Sequence, residues 1–172
     1  MMLTPLRGAT LRQLEWSEIK CDEGIMYLEI PAYKMKMKKS FLIALSNKAC
    51  EILNAQRKLR TNKFIFATEN SNKEYAFSDA ALSRLIEQIG FKGRIVPHGL
   101  RAMFSSICNR HFKSHGQSSD MIELCLAHSI SSIKGEIAAA YDRDYKLAAQ
   151  KELFDWYANY LENLESFSIN YK

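Results

Sequence analysis

Within the run PHGLRAMF, His98 and Arg101 stand three positions apart. On a helix beginning near Pro97, that spacing puts both side chains on one face close to the helix N-terminus. These are residue types that handle a phosphate. A guanidinium grips two oxygens at once, an imidazole exchanges a proton near neutral pH, and the unpaired N–H groups of a first helical turn add positive potential. Taken alone, H-x-x-R is a common surface pair. A second stretch, YKMKMKKSF from Tyr33 to Phe41, alternates lysine and methionine almost strictly. It reads as a solvated strand face, a phosphate clamp or the home of one reactive lysine, and the run by itself does not choose.

The chain that must position these groups has 172 residues, enough for one domain with a sizeable core. Its 47% hydrophobic and 25% charged content is that of an ordinary globular protein. No run of about 18 apolar residues would span a bilayer, so no membrane partner is expected. The first twenty residues carry Arg7, Arg12, Glu15 and Glu18, a pattern unlike a cleavable signal peptide. Cys21, Cys50, Cys108 and Cys125 lie far apart with no C-x-x-C pair, which speaks against a zinc site or a disulfide framework and for reduced thiols in a cytosol. The expected cofactor list is empty. A net charge of +5 and a pI near 9.0 lean toward a polyanionic partner.

Apolar periodicity predicts a short helix over Gly8 to Ile19, with Leu11, Leu14 and the core residue Trp16, then a polar turn from Lys20 to Gly24. IMYLEIP, from residue 25, and SFLIAL, from residue 40, read as hairpin strands with the lysine run at their tip, and KFIFA, residues 63 to 67, as a third strand. Ser46 and Ser78 are candidate N-caps for helices bearing Ala49, Ile52, Leu53 and Leu59, and Leu82, Leu85, Ile86 and Ile89; Gly90 stops the second. Helical stretches follow at about 98–113, 117–127, 131–141 and 145–165, the last carrying Leu147, Leu153, Phe154, Trp156, Tyr157, Tyr160 and Leu161. The expected fold is mainly helical with one small three-stranded antiparallel sheet, an α+β domain. His111 and His115 are expected on the surface.

Five stretches, LTPLRGATLRQLEWSEI, IPAYKMKMKK, HGLRAMF, LCLAHSI and AAAYDRDY, resemble in order and spacing the boxes of the tyrosine recombinase, or phage integrase, catalytic domain. The resemblance covers nearly the whole chain and includes the tail KELFDWYANYL, in the style of prophage integrases. It implies Arg7 as the first active-site arginine, Lys36 as the hairpin lysine, His98 and Arg101 as the H-x-x-R pair, His128 as the later histidine and Tyr141 as the nucleophile. Arg143 follows Tyr141 in the Y-x-R manner, which sets it apart from Tyr145, Tyr157 and Tyr160.

The chemistry implied is metal-independent. Two arginines neutralise a phosphodiester and stabilise the added charge of its pentacoordinate transition state. A tyrosine of ordinary pKa near 10 attacks with help from a base such as His98, and Lys36 protonates the leaving 5′ oxygen. His128 hydrogen-bonds the phosphate. The product is a 3′-phosphotyrosyl link, reversible onto a new strand, as needed for prophage integration or excision in a bacterial cytoplasm. The implied partners are double-stranded DNA at attachment sites, three further protomers in a tetramer, and DNA-bending and excision proteins. Residues 145–172 form a C-terminal helix and tail that could dock on a neighbouring protomer or on their own domain. Only MMLTPL precedes Arg7, so the N-terminal core-binding domain that completes the clamp around DNA is expected to lie outside this chain. The chain departs from the family at Thr10, where an acidic residue is usual. The rival readings are an inactive DNA-binding prophage remnant and a type IB topoisomerase-like relaxing activity.

On an extended hairpin, side chains alternate between faces, so Lys34, Lys36 and Lys38 would share one side and Met35 and Met37 the other. The resemblance picks Lys36 as the acid and leaves Lys34, Lys38 and Lys39 to steer and grip the DNA backbone.

Overall fold

A computed structural model describes residues 2–67, 76–128 and 143–169 of the chain. Arg7 is the N-cap of α1 (Gly8–Arg12). The helix does not run on toward Ile19. Glu15 turns extended and, with Glu18, forms a reciprocal capping box around a 3-10 turn, Trp16–Glu18; the Glu15 amide donates to Glu18 Oε2 at 2.8 Å. Trp16 is buried, as its apolar context predicts.

The residues after it are a strand rather than a turn. β1 (Ile19–Asp22) pairs antiparallel with β2 (Ile25–Ile30), and the reversal is made by Glu23 and Gly24 at φ 45° and 80°. Two successive positive φ values match the right-handed twist of a tight hairpin. β1 escaped prediction because three of its four residues are exposed, so no buried alternation marks it. β3 (Phe41–Ala44) pairs with the other edge of β2, Leu28 opposite Ile43, giving the order β1-β2-β3. The sheet thus has the three antiparallel strands expected, but KFIFA is not among them. It contributes only isolated bridges, Phe64 to Glu15 and Ala67 to Ala76.

Ser46 caps α2 (Asn47–Arg57), its Oγ accepting the Ala49 N–H at 3.2 Å. α3 (Ala81–Gln88) starts from Ala80 rather than Ser78, and Gly90 ends it as predicted. At φ 87°, Gly90 donates its N–H to the Glu87 carbonyl while Phe91 donates to Ile86, each at 3.0 Å, the paired bonds of a Schellman stop. α4 (Pro97–Arg110), α5 (Phe112–His115) and α6 (Ser119–Cys125) follow, and Ser118 caps the last through the Met121 N–H at 3.2 Å. The helical stretch expected at 131–141, with Tyr141, lies outside the described residues.

α7 (Arg143–Ile169) lays Leu147, Leu153, Phe154 and Tyr157 into the chain's own core. Phe104 of α4 meets the Tyr157 ring edge-on at 5.0 Å and the Phe154 ring at 5.7 Å, so the helix is part of this domain along that length. Burial pushes the Tyr157 phenol well up, and its ring lies wholly inside, which removes it as a competitor nucleophile. His111 and His115, expected on the surface, are half-buried. Their rings pack on Trp156 at 5.8 and 4.8 Å, and His115 Nε2 reaches the Cys108 carbonyl at 2.8 Å.

One buried polar group joins α7 to the sheet. Gln150 accepts the outward-pointing N–H of Ala44 at 2.9 Å, capping a donor on the open edge of β3. Gln150→Leu keeps the volume but orphans that amide. It should lower stability by about 1–3 kcal/mol, read as a lower urea midpoint at unchanged slope.

Candidate active site

Arg101, Phe104 and Cys108 fall at i, i+3 and i+7 of α4, and all three are buried. An arginine therefore occupies the first position of a core-facing stripe. Its guanidinium is held by backbone carbonyls: one terminal nitrogen donates to Pro5 O, the other to Leu126 O at 2.8 Å. Neither partner is a carboxylate. Burial is the main influence on Arg101 and the positive charge of Arg7 the next, and together they lower its pKa to about 10, against a weaker opposing pull from Glu123. At neutral pH it is still a cation.

The same terminal nitrogen lies 3.4 Å from Nε2 of His128. Leu126, Ala127 and His128 end α6 through a second Schellman turn, with Ala127 at φ 51° donating to Leu124 O at 2.9 Å and His128 donating to Glu123 O at 3.2 Å. A non-glycine residue in that region costs about 1–2 kcal/mol, and here it brings the His128 ring back over α6. Its Nδ1 sits 2.7 Å from Glu123 Oε2. A carboxylate there keeps the proton on Nδ1, leaving Nε2 turned toward Arg101. His128 is exposed rather than a satisfied core histidine. Glu123 carries no motif in the sequence, because only the helix stop brings residues five apart into contact.

Arg7 and Arg101 are close enough that each cation raises the cost of the other, and the Pro5 contact ties Arg101 to the segment leading into α1. His98 lies in the first turn of α4 after Pro97 and is exposed, whereas Arg101, three residues on, is buried. Arg7 and His128 thus each stand beside Arg101, with His98 on the helix that carries it. Tyr141 is outside the described residues.

The lysine run departs from the extended hairpin. Ala32–Lys34 is a 3-10 turn, and a further turn closes through the Lys38 N–H to Met35 O at 3.1 Å, with Lys38 at φ 54°. Period-two alternation is lost, and Lys34 separates from the other lysines. Its side chain is only 3% exposed, and Nζ donates to Glu18 Oε1 at 2.7 Å, Glu15 Oε1 at 3.1 Å and the Gln13 carbonyl at 2.7 Å. The expectation that Lys34 grips DNA is therefore corrected: its charge is committed inside the fold. Met35 is buried beside it, while Lys36, Met37, Lys38, Lys39 and Ser40 are exposed. Burial of the Lys34 ammonium, the largest single influence, works against its charge, but hydrogen bonds and attraction from Glu18 and Glu15 outweigh it and hold the pKa above the ordinary lysine value. A raised lysine pKa stabilises the fold at every pH below the ordinary value and loses that contribution only as pH climbs through the raised one, so the cluster is fully formed at neutral pH.

Thr10, the departure from the acidic pattern, is buried and donates Oγ1–H to the Lys34 carbonyl at 3.2 Å. Neither this bond nor the two carboxylates around Lys34 was legible in the sequence. E-x-x-E at Glu15 and Glu18 signals a capping box but not the lysine that fills it. Among the described residues, no group of three or more histidine, cysteine, aspartate or glutamate side chains could hold a metal ion, and no helix is long and apolar enough to cross a membrane.

The chain is 30% identical over 161 residues to the integrase of Shigella phage Sf6, and 30% identical over 161 residues to prophage integrase IntS of Escherichia coli K12. It is 28% identical over 168 residues to prophage integrase IntA of the same strain. These alignments cover 92%, 92% and 98% of this chain but only 39%, 39% and 38% of the relatives, so the chain spans less than two fifths of their length. No solved structure matches it. The profile of the phage integrase family matches residues 1–139, a span that takes in Arg7, the lysine run, the Arg101 and His128 pocket and the helices that build it, and the chain belongs to that family.

Proposed function

We propose that the chain is the catalytic domain of a tyrosine-type site-specific DNA recombinase, cleaving and rejoining DNA at attachment sites through a 3′-phosphotyrosyl intermediate. Arg7 and Arg101 take the non-bridging oxygens of the scissile phosphate, and His128, its Nδ1–H held by Glu123, donates Nε2–H to the same group when its ring carries a proton on both nitrogens. The Tyr141 oxygen attacks phosphorus and its proton passes to His98. The bond from phosphorus to the 5′ oxygen breaks, and Lys36 Nζ supplies the proton that makes a 5′ hydroxyl of the leaving strand. Rejoining reverses each transfer onto a new 5′ hydroxyl, so no ATP is needed. Lys38 and Lys39, exposed beside Lys36, contact the backbone of the duplex. The whole protein works in a bacterial cytoplasm as a prophage product, in a tetramer on DNA with bending and excision partners.

The observation that supports this most is Arg101. It is a buried cation held by carbonyls rather than by a carboxylate, with a second arginine and a histidine beside it. Such a group gains most from an anion. Sulfate, a tetrahedral dianion, should raise the melting temperature of the chain by about 2–4 °C for each kcal/mol of binding. The gain over chloride at equal ionic strength should shrink in Arg7→Gln; equal gains in the two proteins would count against a shared phosphate site.

The decisive test of chemistry is a nicked suicide duplex carrying the attachment region. The chain should form a covalent protein-DNA adduct and Tyr141→Phe should not. Absence of adduct with DNA still bound would leave the remnant reading, and relaxation of any supercoiled plasmid without site preference would favour the topoisomerase reading. Lys36→Ala should slow cleavage about 10²–10⁴-fold, the usual worth of a general acid, with DNA affinity nearly intact. A collapse of affinity instead would make Lys36 a clamp residue.

A further inference from the structure

The hydrogen bonds made by the Lys34 ammonium, and the side-chain bond its carbonyl accepts, all land on one short segment. Its carbonyl accepts from Thr10 on α1, and its ammonium donates to Gln13, Glu15 and Glu18, which follow that helix. α1 is the helix that Arg7 opens. Lys36 is two residues further along the chain, so its Cα lies within about 7 Å of the Lys34 Cα whatever the tip does. Beyond the buried Met35, the tip from Lys36 to Ser40 is exposed. One residue therefore joins the base of the lysine loop to the helix of the first arginine, through its main chain and its side chain at once.

We propose that Lys34 is a positioning residue: with Thr10, Glu15 and Glu18 it sets the loop bearing Lys36 at a fixed place relative to Arg7, so that the general acid and the phosphate-binding arginine meet the same phosphodiester. The proposal rests on the reading of Lys36 as the acid. Thr10 is then not a lesion in the site. It supplies the hydroxyl that holds the loop's main chain. The long lysine stem spans from the loop to the capping box, and its three ammonium donors match the three acceptors found there.

Two variants test this in the full chain: Lys34→Met, which keeps the stem and removes the charge, and Thr10→Val, which keeps the shape and removes the hydroxyl. Amide hydrogen exchange of residues 35–40 should speed up in both, while exchange in α4 stays as in the parent. Unchanged exchange in the loop overturns the tether, and this measurement needs no catalysis. The second readout is cleavage of two suicide duplexes, one ordinary and one with sulfur in place of the bridging 5′ oxygen. A thiolate leaves without a proton, so the modified strand needs no acid. Both variants should slow the ordinary substrate about tenfold or more and match the parent within about twofold on the sulfur substrate, with DNA affinity held. An equal loss on both substrates means a merely structural role and overturns the proposal. Lys36→Met is the control. If its own defect persists on the sulfur substrate, Lys36 is not the acid, and the underlying reading falls together with the positioning role. If the Lys36→Met defect is relieved and that of Lys34→Met is not, the positioning role alone is wrong.

Discussion

The arrangement turns on the burial of one guanidinium. Arg101 sits where a core helix would ordinarily place leucine, and the fold makes that tolerable by aiming the carbonyls of Pro5 and Leu126 at it. Those two contacts bring the approach to α1 and the end of α6 onto the N-terminal half of α4. The helix stop at Ala127 then carries His128 onto the same cation. Carbonyls satisfy the donors of an arginine without cancelling its charge. A carboxylate in their place would stabilise the empty site more and leave less for an anionic ligand. Arg7 adds a second positive charge close by, which works against the Arg101 cation more than Glu123 supports it.

Lys34 shows the opposite solution within the same small domain. Its ammonium is as deeply placed, but two carboxylates and a carbonyl surround it, and its pKa moves up where that of Arg101 moves down. The difference separates a cation paired with carboxylates from one held by carbonyls alone. Burial is common to both. What distinguishes them is the charge of the partners, which no count of lysines and arginines conveys.

The elements with strong local causes were legible in advance. Ser46 caps α2, Gly90 stops α3, β2 and β3 pair as a hairpin, and the apolar stripe of α7 goes inward. Each rests on backbone hydrogen-bond chemistry or on a clean period. The failures share a cause as well. β1 leaves no mark in the sequence because an exposed edge strand shows no alternation of burial, and KFIFA reads as a strand because apolar β-branched and aromatic residues fit any buried extended segment. The lysine run looked extended because alternation in the sequence need not be alternation in space once a 3-10 turn intervenes.

By itself the sequence determined the residue types and their order: an arginine before a helix, a lysine in a basic run, H-x-x-R at a helix start, a histidine after a helix, and a family pattern that joins them. Such features are local and survive as strings. Only the tertiary structure decided which cations are occupied and which are available. That Lys34 is spoken for by Glu15 and Glu18, that Thr10 holds the lysine loop, and that Glu123 orients His128 toward Arg101 all depend on side chains meeting across a turn or between separate elements. A charge has no functional meaning until its neighbours are known, because the field at a site is set by distance and burial rather than by position along the chain.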